Sequence, residues 1–198
     1  MKMANERRIS GVLYLGIAPL LSDNGTDDPT WGEVVEIPQF ENFSGEKQYS
    51  SAEWYSNDRI EMSLKNIASV DFEITVGSLS SELRSMLTGA TYNEENGVLV
   101  ERSDDAQAEY ALIVRFSQMS AGASGTYDIV YYRCILSVDN LEAETKTDSI
   151  NTTSITITGK AIPLRNGAIG ASIDSFDENA DETVISNWKT AVYYPTTI

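Results

Sequence analysis

The chain contains no histidine, a single cysteine and few basic residues: Lys and Arg number 14 against 30 Asp and Glu, a formal charge of −16. Each scarcity excludes something. Without histidine there is no Ser-His-Asp triad, no Cys-His pair and no imidazole base. Histidine-ligated zinc is excluded on the same ground. With Cys134 alone there is no intrachain disulfide and no all-cysteine zinc site. Cys134 lies in the apolar run Val130-Tyr131-Tyr132-Arg133-Cys134-Ile135-Leu136, where a small buried hydrophobe is expected. The charge opposes nucleic-acid binding through an extended basic face, because neutralising phosphates needs clustered Lys and Arg, and only Arg7-Arg8 are adjacent. Hydrophobic runs are short. The longest, Gly11–Leu21, is too short to span a bilayer as a helix. Its flanks, with Asn5 and Glu6 before it and Leu20-Leu21 at its end, fit a first core strand better than a signal peptide. The Asn-x-Ser/Thr matches at Asn24, Asn42 and Asn151 therefore carry little weight.

What is present reads as β-structure. Gly11–Ala18 fits a buried strand, Ser22–Pro29 a polar loop, and Trp31–Ile37 a short strand ended by Pro38. Residues 39–57 lack clean periodicity and carry Phe40, Phe43, Tyr49, Trp54 and Tyr55, so a long aromatic-studded loop is expected there. Alternation returns with Ile60, Met62 and Leu64, then with Val70, Phe72, Ile74 and Val76 up to Gly77-Ser78. Leu79, Leu83, Met86 and Leu87 have helical spacing between a serine cap, Ser78 or Ser80, and a Gly89 stop. Asn96-Gly97 predicts a type I′ hairpin turn between Thr91–Glu95 and Val98–Arg102. Ala108–Phe116 reads as a strand with Tyr110, Leu112, Val114 and Phe116 on one face; Ser117–Gly125 reads as a loop; Thr126–Val138 as a long strand. Glu142–Ser149 is polar. Thr152–Ile162 alternates, with Ile155 and Ile157 inward, and Asn166-Gly167 is a turn. The segment 177–198 holds a short helix with Val184, Trp188 and Val192 four apart and acids at its start. No repeat or linker divides the chain, so one mainly β domain over 1–198 is expected: a β-sandwich or barrel with one flanking helix and a short C-terminal helix.

No catalytic motif stands out. Asp23, Asp27 and Asp28 around Gly25 miss the EF-hand spacing, and solvated turns are the commoner reading. The Glu94-Glu95 and Asp104-Asp105 pairs are weighed as glycosidase carboxylates against ordinary acidic turns, and the turns are preferred. There is no phosphate-binding glycine fingerprint and no nucleophile elbow. No cofactor or metal is expected.

Several segments in order resemble the major tail protein of long-tailed bacteriophages of Gram-positive hosts. They are the Gly11–Gly16 strand, the segment from Ser51 to Asp58, the segment from Leu79 to Gly89, Glu109–Phe116, Tyr131–Leu136 and Glu144–Ile150. The segment Ser56-Asn57-Asp58 is more polar than the family's pattern, and residues 1–9 have no counterpart in it. The resemblance implies a non-enzymatic structural protein of the virion tail, made in the host cytoplasm. It implies a β-sandwich or barrel whose six copies form a ring, rings that stack into a tube around a tape-measure protein, and DNA passing through the lumen without specific binding. An N-terminal arm (1–10), the 39–57 loop and the C-terminal segment are then the candidates for bridging subunits. Phe40, Phe43, Tyr49, Trp54, Tyr55, Trp188, Tyr193 and Tyr194 are the candidate contacts. Acidic groups facing the lumen would repel phosphate. The alternative is an acidic β-sandwich that binds carbohydrate or a protein partner through the 39–57 aromatics. Self-association separates the two.

Overall fold

The computed structural model describes residues 7–56, 59–120, 122–138 and 154–195, the side chains of 54–62 excepted. Residues 1–6, the 139–153 stretch that includes Glu142–Ser149, and 196–198 lie outside the described residues. The elements run β1 (Arg7–Ser22), β2 (Thr30–Trp31), β3 (Val35–Glu36), β4 (Phe40–Ser56), β5 (Arg59–Val76), α1 (Ser81–Thr88), β6 (Thr91–Asn93), β7 (Val98–Val100), β8 (Glu109–Ser120), β9 (Ala123–Val138), β10 (Ile155–Ala161), β11 (Gly170–Asp174) and α2 (Glu182–Asn187). The protein is mainly β, as the alternation implies.

One antiparallel sheet has the order β2-β1-β8-β9-β10-β5-β4, and β6-β7 form a separate hairpin. Along the edge opposite β8, β9 pairs first with β11, at Tyr127–Tyr131, and then with β10, at Cys134–Val138. The sheet folds over a main core formed by Leu15, Ile17, Phe72, Ile74, Leu112, Val114, Leu136 and Ile157, with Leu83 and Leu87 of α1 packed into it. A second core lies on the other face of β1-β8-β9, where Tyr14, Ile113, Val130 and Tyr132 meet Leu164 and Trp188. Both faces of the middle strands are therefore covered. This is why Tyr110–Val114 is an unbroken buried run rather than an alternating one.

Local chemistry accounts for the ends of α1. The Ser80 hydroxyl accepts a hydrogen bond from the Leu83 N–H at 3.1 Å, and Ser80 is extended (φ −66°, ψ 154°). Gly89 closes the helix in the left-handed region at φ 78°, donating its N–H to Ser85 O at 2.9 Å.

The structure corrects several sequence expectations. Residues 40–56 are a strand, not a loop: they pair with β5 from Phe40↔Val76 to Ser56↔Arg59. Glu41 is passed over in β4 between Phe40↔Val76 and Asn42↔Thr75, and beyond Lys47 the described side chains of the strand are exposed on both sides apart from Gln48, so it lacks the alternation a half-buried strand shows. Ser117–Gly125 is also not a loop. The ladder runs on to Ser120↔Ala123 around a tight turn with Gly122 at φ 86°, and Gln118 and Ser120 are buried. Trp31–Ile37 is two bridges rather than one strand, because Gly32 N–H turns back to Pro19 O and Ile37 N–H to Leu15 O, both at 2.9 Å. The Asn96-Gly97 turn is not type I′, which needs two positive φ values. Asn93 pairs with Val98 across a four-residue loop, with Gly97 alone at positive φ (70°). Arg7–Ser10, expected in an arm, belong to β1.

Candidate assembly surface

The β4–β5 hairpin starts within the sheet and leaves it. At its root, Phe43, Phe72, Ile74 and Val76 belong to the main core or pack against it. Past Lys47 the ribbon loses its cover. Of the described side chains in 47–53 and 63–68, all but Gln48 are exposed. At about 3.3 Å per residue, the part of β4 from Lys47 onward reaches roughly 30 Å. The body ends there because its covering strands end. β10 stops pairing at Ala161↔Val70.

This arm has two distinct sides. On the side that continues the core face, Tyr49 pairs directly with Ile67. Lys65 Nζ sits 4.1 Å over the Tyr49 ring, and Lys47 and Ile67 share a groove of about 170 Å³ with Val70, Tyr127 and Ile169. Tyr49 and Ile67 are 50% and 38% exposed. The opposite side at the root is acidic. Glu46 pairs with Asp71, and Glu73 stands beside Ser44. Lys160 reaches Asp71 Oδ1 at 3.3 Å, and these side chains rim an open groove of about 750 Å³ over β4, β5 and β10.

The predicted contact aromatics are dispersed. Phe40 and Phe43 pack on the main core, Phe43 stacking on Phe72 (6.4 Å, 21°) and meeting Phe116 edge-on (5.8 Å). Tyr49 is on the open arm. Trp54 and Tyr55 lie farther along the arm, within the stretch whose side chains are not described. Trp188 is 2% exposed and stacks with Tyr193 at 5.4 Å. Tyr194 meets Tyr132 edge-on at 5.3 Å and accepts a hydrogen bond from Asn166 Nδ2. Trp188 and Tyr194 thus fasten the C-terminal segment to the sheet, while Tyr193 keeps 38% exposure.

Sequence reading missed the exposed partners Ile67 and Lys65. The alternation of Ile60, Met62 and Leu64 marks one face of a strand, yet Leu64 is 47% exposed on the arm. Alternation reports a strand with two unlike faces. It does not report that the neighbouring strands stop short. A second exposed apolar group, Ile9, Leu13 and Met119, lies toward the start of β1 and the end of β8, with Leu13 passed over at a bulge.

The acidic turns are structured by their own hydrogen bonds. Asn24 Oδ1 accepts from Thr26 and Asp27 N–H groups at 2.9 Å, while Asp23 accepts from Arg165 N–H at 3.1 Å and faces Arg133 at 3.8 Å. Asp105 accepts from Arg102 N–H at 2.7 Å, and Glu95 N–H donates to Asn93. Among the described residues no three His, Cys, Asp or Glu side chains converge as metal ligands. The Arg133 guanidinium forks onto Glu109 at 2.7 and 2.9 Å, and that bond holds its pKa above the ordinary value. Burial pushes the thiol of Cys134 and the phenol of Tyr132 upward as well. Among the described residues no helix is long and apolar enough to cross a membrane. Comparison with known proteins found no matching family model and no matching curated protein.

Proposed function

We propose that the chain is a non-catalytic structural subunit of a bacteriophage tail, assembling into stacked hexameric rings that form the tail tube. The observation that carries this reading is the β4–β5 arm. A two-stranded ribbon with no third strand and no covering layer is marginally stable in water. A strand pair of 17 and 18 residues whose described side chains past Lys47, Gln48 apart, are exposed is therefore built to be completed by another molecule. Open edges point the same way. β4 is the last strand of the sheet, and Arg7–Tyr14 of β1 pairs with β8 alone among the described residues. Long open edges are templates for pairing with another chain, and closure into a ring removes them. The order of segments that resembles tail proteins supplies the identity of that assembly: a tube around a tape-measure protein that conducts DNA.

The test is negative-stain electron microscopy of the purified protein, concentrated at moderate salt. Rings or tubes are expected. Monomers at every concentration, with a tail initiator complex added as well, would overturn the reading and make a glycan and protein-partner screen the next step.

A further inference from the structure

We infer that the core-side surface of the arm, Lys47, Tyr49, Lys65 and Ile67, docks on the acidic outer face of a second copy of this chain, at Glu46, Asp71 and Glu73. The inference deepens the self-assembly reading and rests on it.

Three observations carry it. The first is the distribution of charge. Residues 47–69 contain three basic and three acidic residues, so the arm is formally neutral and the whole −16 resides on the remainder. Two bodies brought face to face repel one another, and the arm is the segment that can approach a neighbouring body without that penalty. The second is the composition of the arm's core-side surface. It places a directly paired Tyr49 and Ile67 between two lysines. An aromatic anchor flanked by cations is suited to a polar, anionic partner surface. The third is the acceptor. Glu46, Asp71 and Glu73 lie on the other side of the same ribbon, around an open groove, with Lys160 as the cation among them. The two surfaces are different patches on opposite faces of one sheet. Contact between them is head-to-tail, which generates a ring when the rotation closes and a filament when it does not.

Charge reversal in complementary pairs tests this. One variant carries Lys47→Glu and Lys65→Glu; the other carries Glu46→Lys and Glu73→Lys. All four positions are exposed. Each variant alone meets like charge at every donor–acceptor contact and is expected to sediment as a monomer under conditions where the unaltered protein assembles. In an equimolar mixture every contact between unlike copies is again complementary, so assembly is expected to return, with the two variants alternating. Recovery on mixing also shows that both variants are folded; circular dichroism checks this for each alone. If the unaltered protein assembles and both variants assemble equally well, this docking assignment is wrong while self-assembly stands. If each variant is folded and monomeric but mixing restores nothing, the pairing of these two faces is wrong. If the unaltered protein does not assemble at all, even with a tail initiator complex added, the tube reading itself fails.

Discussion

Arg115 and Asp128 face each other across β8 and β9 in a two-pronged ion pair, Nε to Oδ1 at 2.8 Å and Nη2 to Oδ2 at 2.6 Å. The Asp128 side chain is fully buried. The same guanidinium donates to the Ile185 carbonyl in α2, so one buried charge pair ties the C-terminal segment to the sheet. α2 contributes no buried residue of its own, and the other main attachment is Trp188, which caps it.

Removing one partner leaves the other charge buried without compensation. Asp128→Ala is expected to cost about 3–5 kcal/mol. The double variant Arg115→Met with Asp128→Leu is expected to cost clearly less, since no charge is stranded. Urea unfolding of both variants checks the order. Equal losses would mean that packing, not charge, dominates the site.

Two glycines with similar backbone angles should respond differently to alanine. Gly89 (φ 78°) would place a Cβ 2.3 Å from the Ala106 carbonyl oxygen, whereas Gly97 (φ 70°) has nothing within 4 Å. Gly97→Ala is expected to cost about 1 kcal/mol, the left-handed strain alone. Gly89→Ala adds a backbone clash and should cost appreciably more, with a lower melting temperature. Comparable melting temperatures would show that the 106 loop yields freely.

Burial raises the phenol pKa values of Tyr14, Tyr110, Tyr131 and Tyr132 and that of the Cys134 thiol. For an acid whose folded pKa exceeds its unfolded value, the stabilising contribution is complete below the unfolded value. It is lost as pH rises from there toward the folded value. Alkali should therefore unfold the protein. The phenolate absorbance of the buried four is expected to rise together with the loss of circular dichroism. Cys134 should react with a thiol reagent only in that same step. Full tyrosine ionisation before unfolding would contradict this.

Salt should act on assembly through the large like charge of each copy. At low ionic strength repulsion between bodies of −16 extends about 30 Å, and at 0.1 M about 10 Å. Raising salt into the physiological range is expected to lower the concentration at which sedimentation detects oligomers. An increase over that range would mean that attractive ion pairs outweigh the net repulsion.

Much of the fold was legible in the residue pattern. A serine cap, Ser78 or Ser80, and the Gly89 stop mark α1 in the sequence because capping is chemistry within a few residues, and Ser80 is the one that caps it. Val70–Val76 and Ile155–Ile157 declare their inward faces because one side meets the core and the other meets water. Cys134 reads as buried from its apolar neighbours, and it is. The candidate surface was less legible. Beyond Lys47 the described side chains of β4 are exposed on both of its sides apart from Gln48, so no inside-outside alternation marks it and it resembles a loop in sequence. β11 is five residues long and begins with glycine.

The sequence by itself determined composition, charge, the chemistry that is excluded, and each element whose signal is local. Only the tertiary structure decided that the β4–β5 ribbon outruns its neighbours, that Phe43 meets the core while Tyr49, on the same side, lies beyond it, and that Lys47 and Lys65 lie on the opposite side of the hairpin from Glu46, Asp71 and Glu73. Those facts depend on where β10 ends and where a bulge falls in the ladder. Exposure is a property of what lies alongside a strand. The strand's own residues do not encode it.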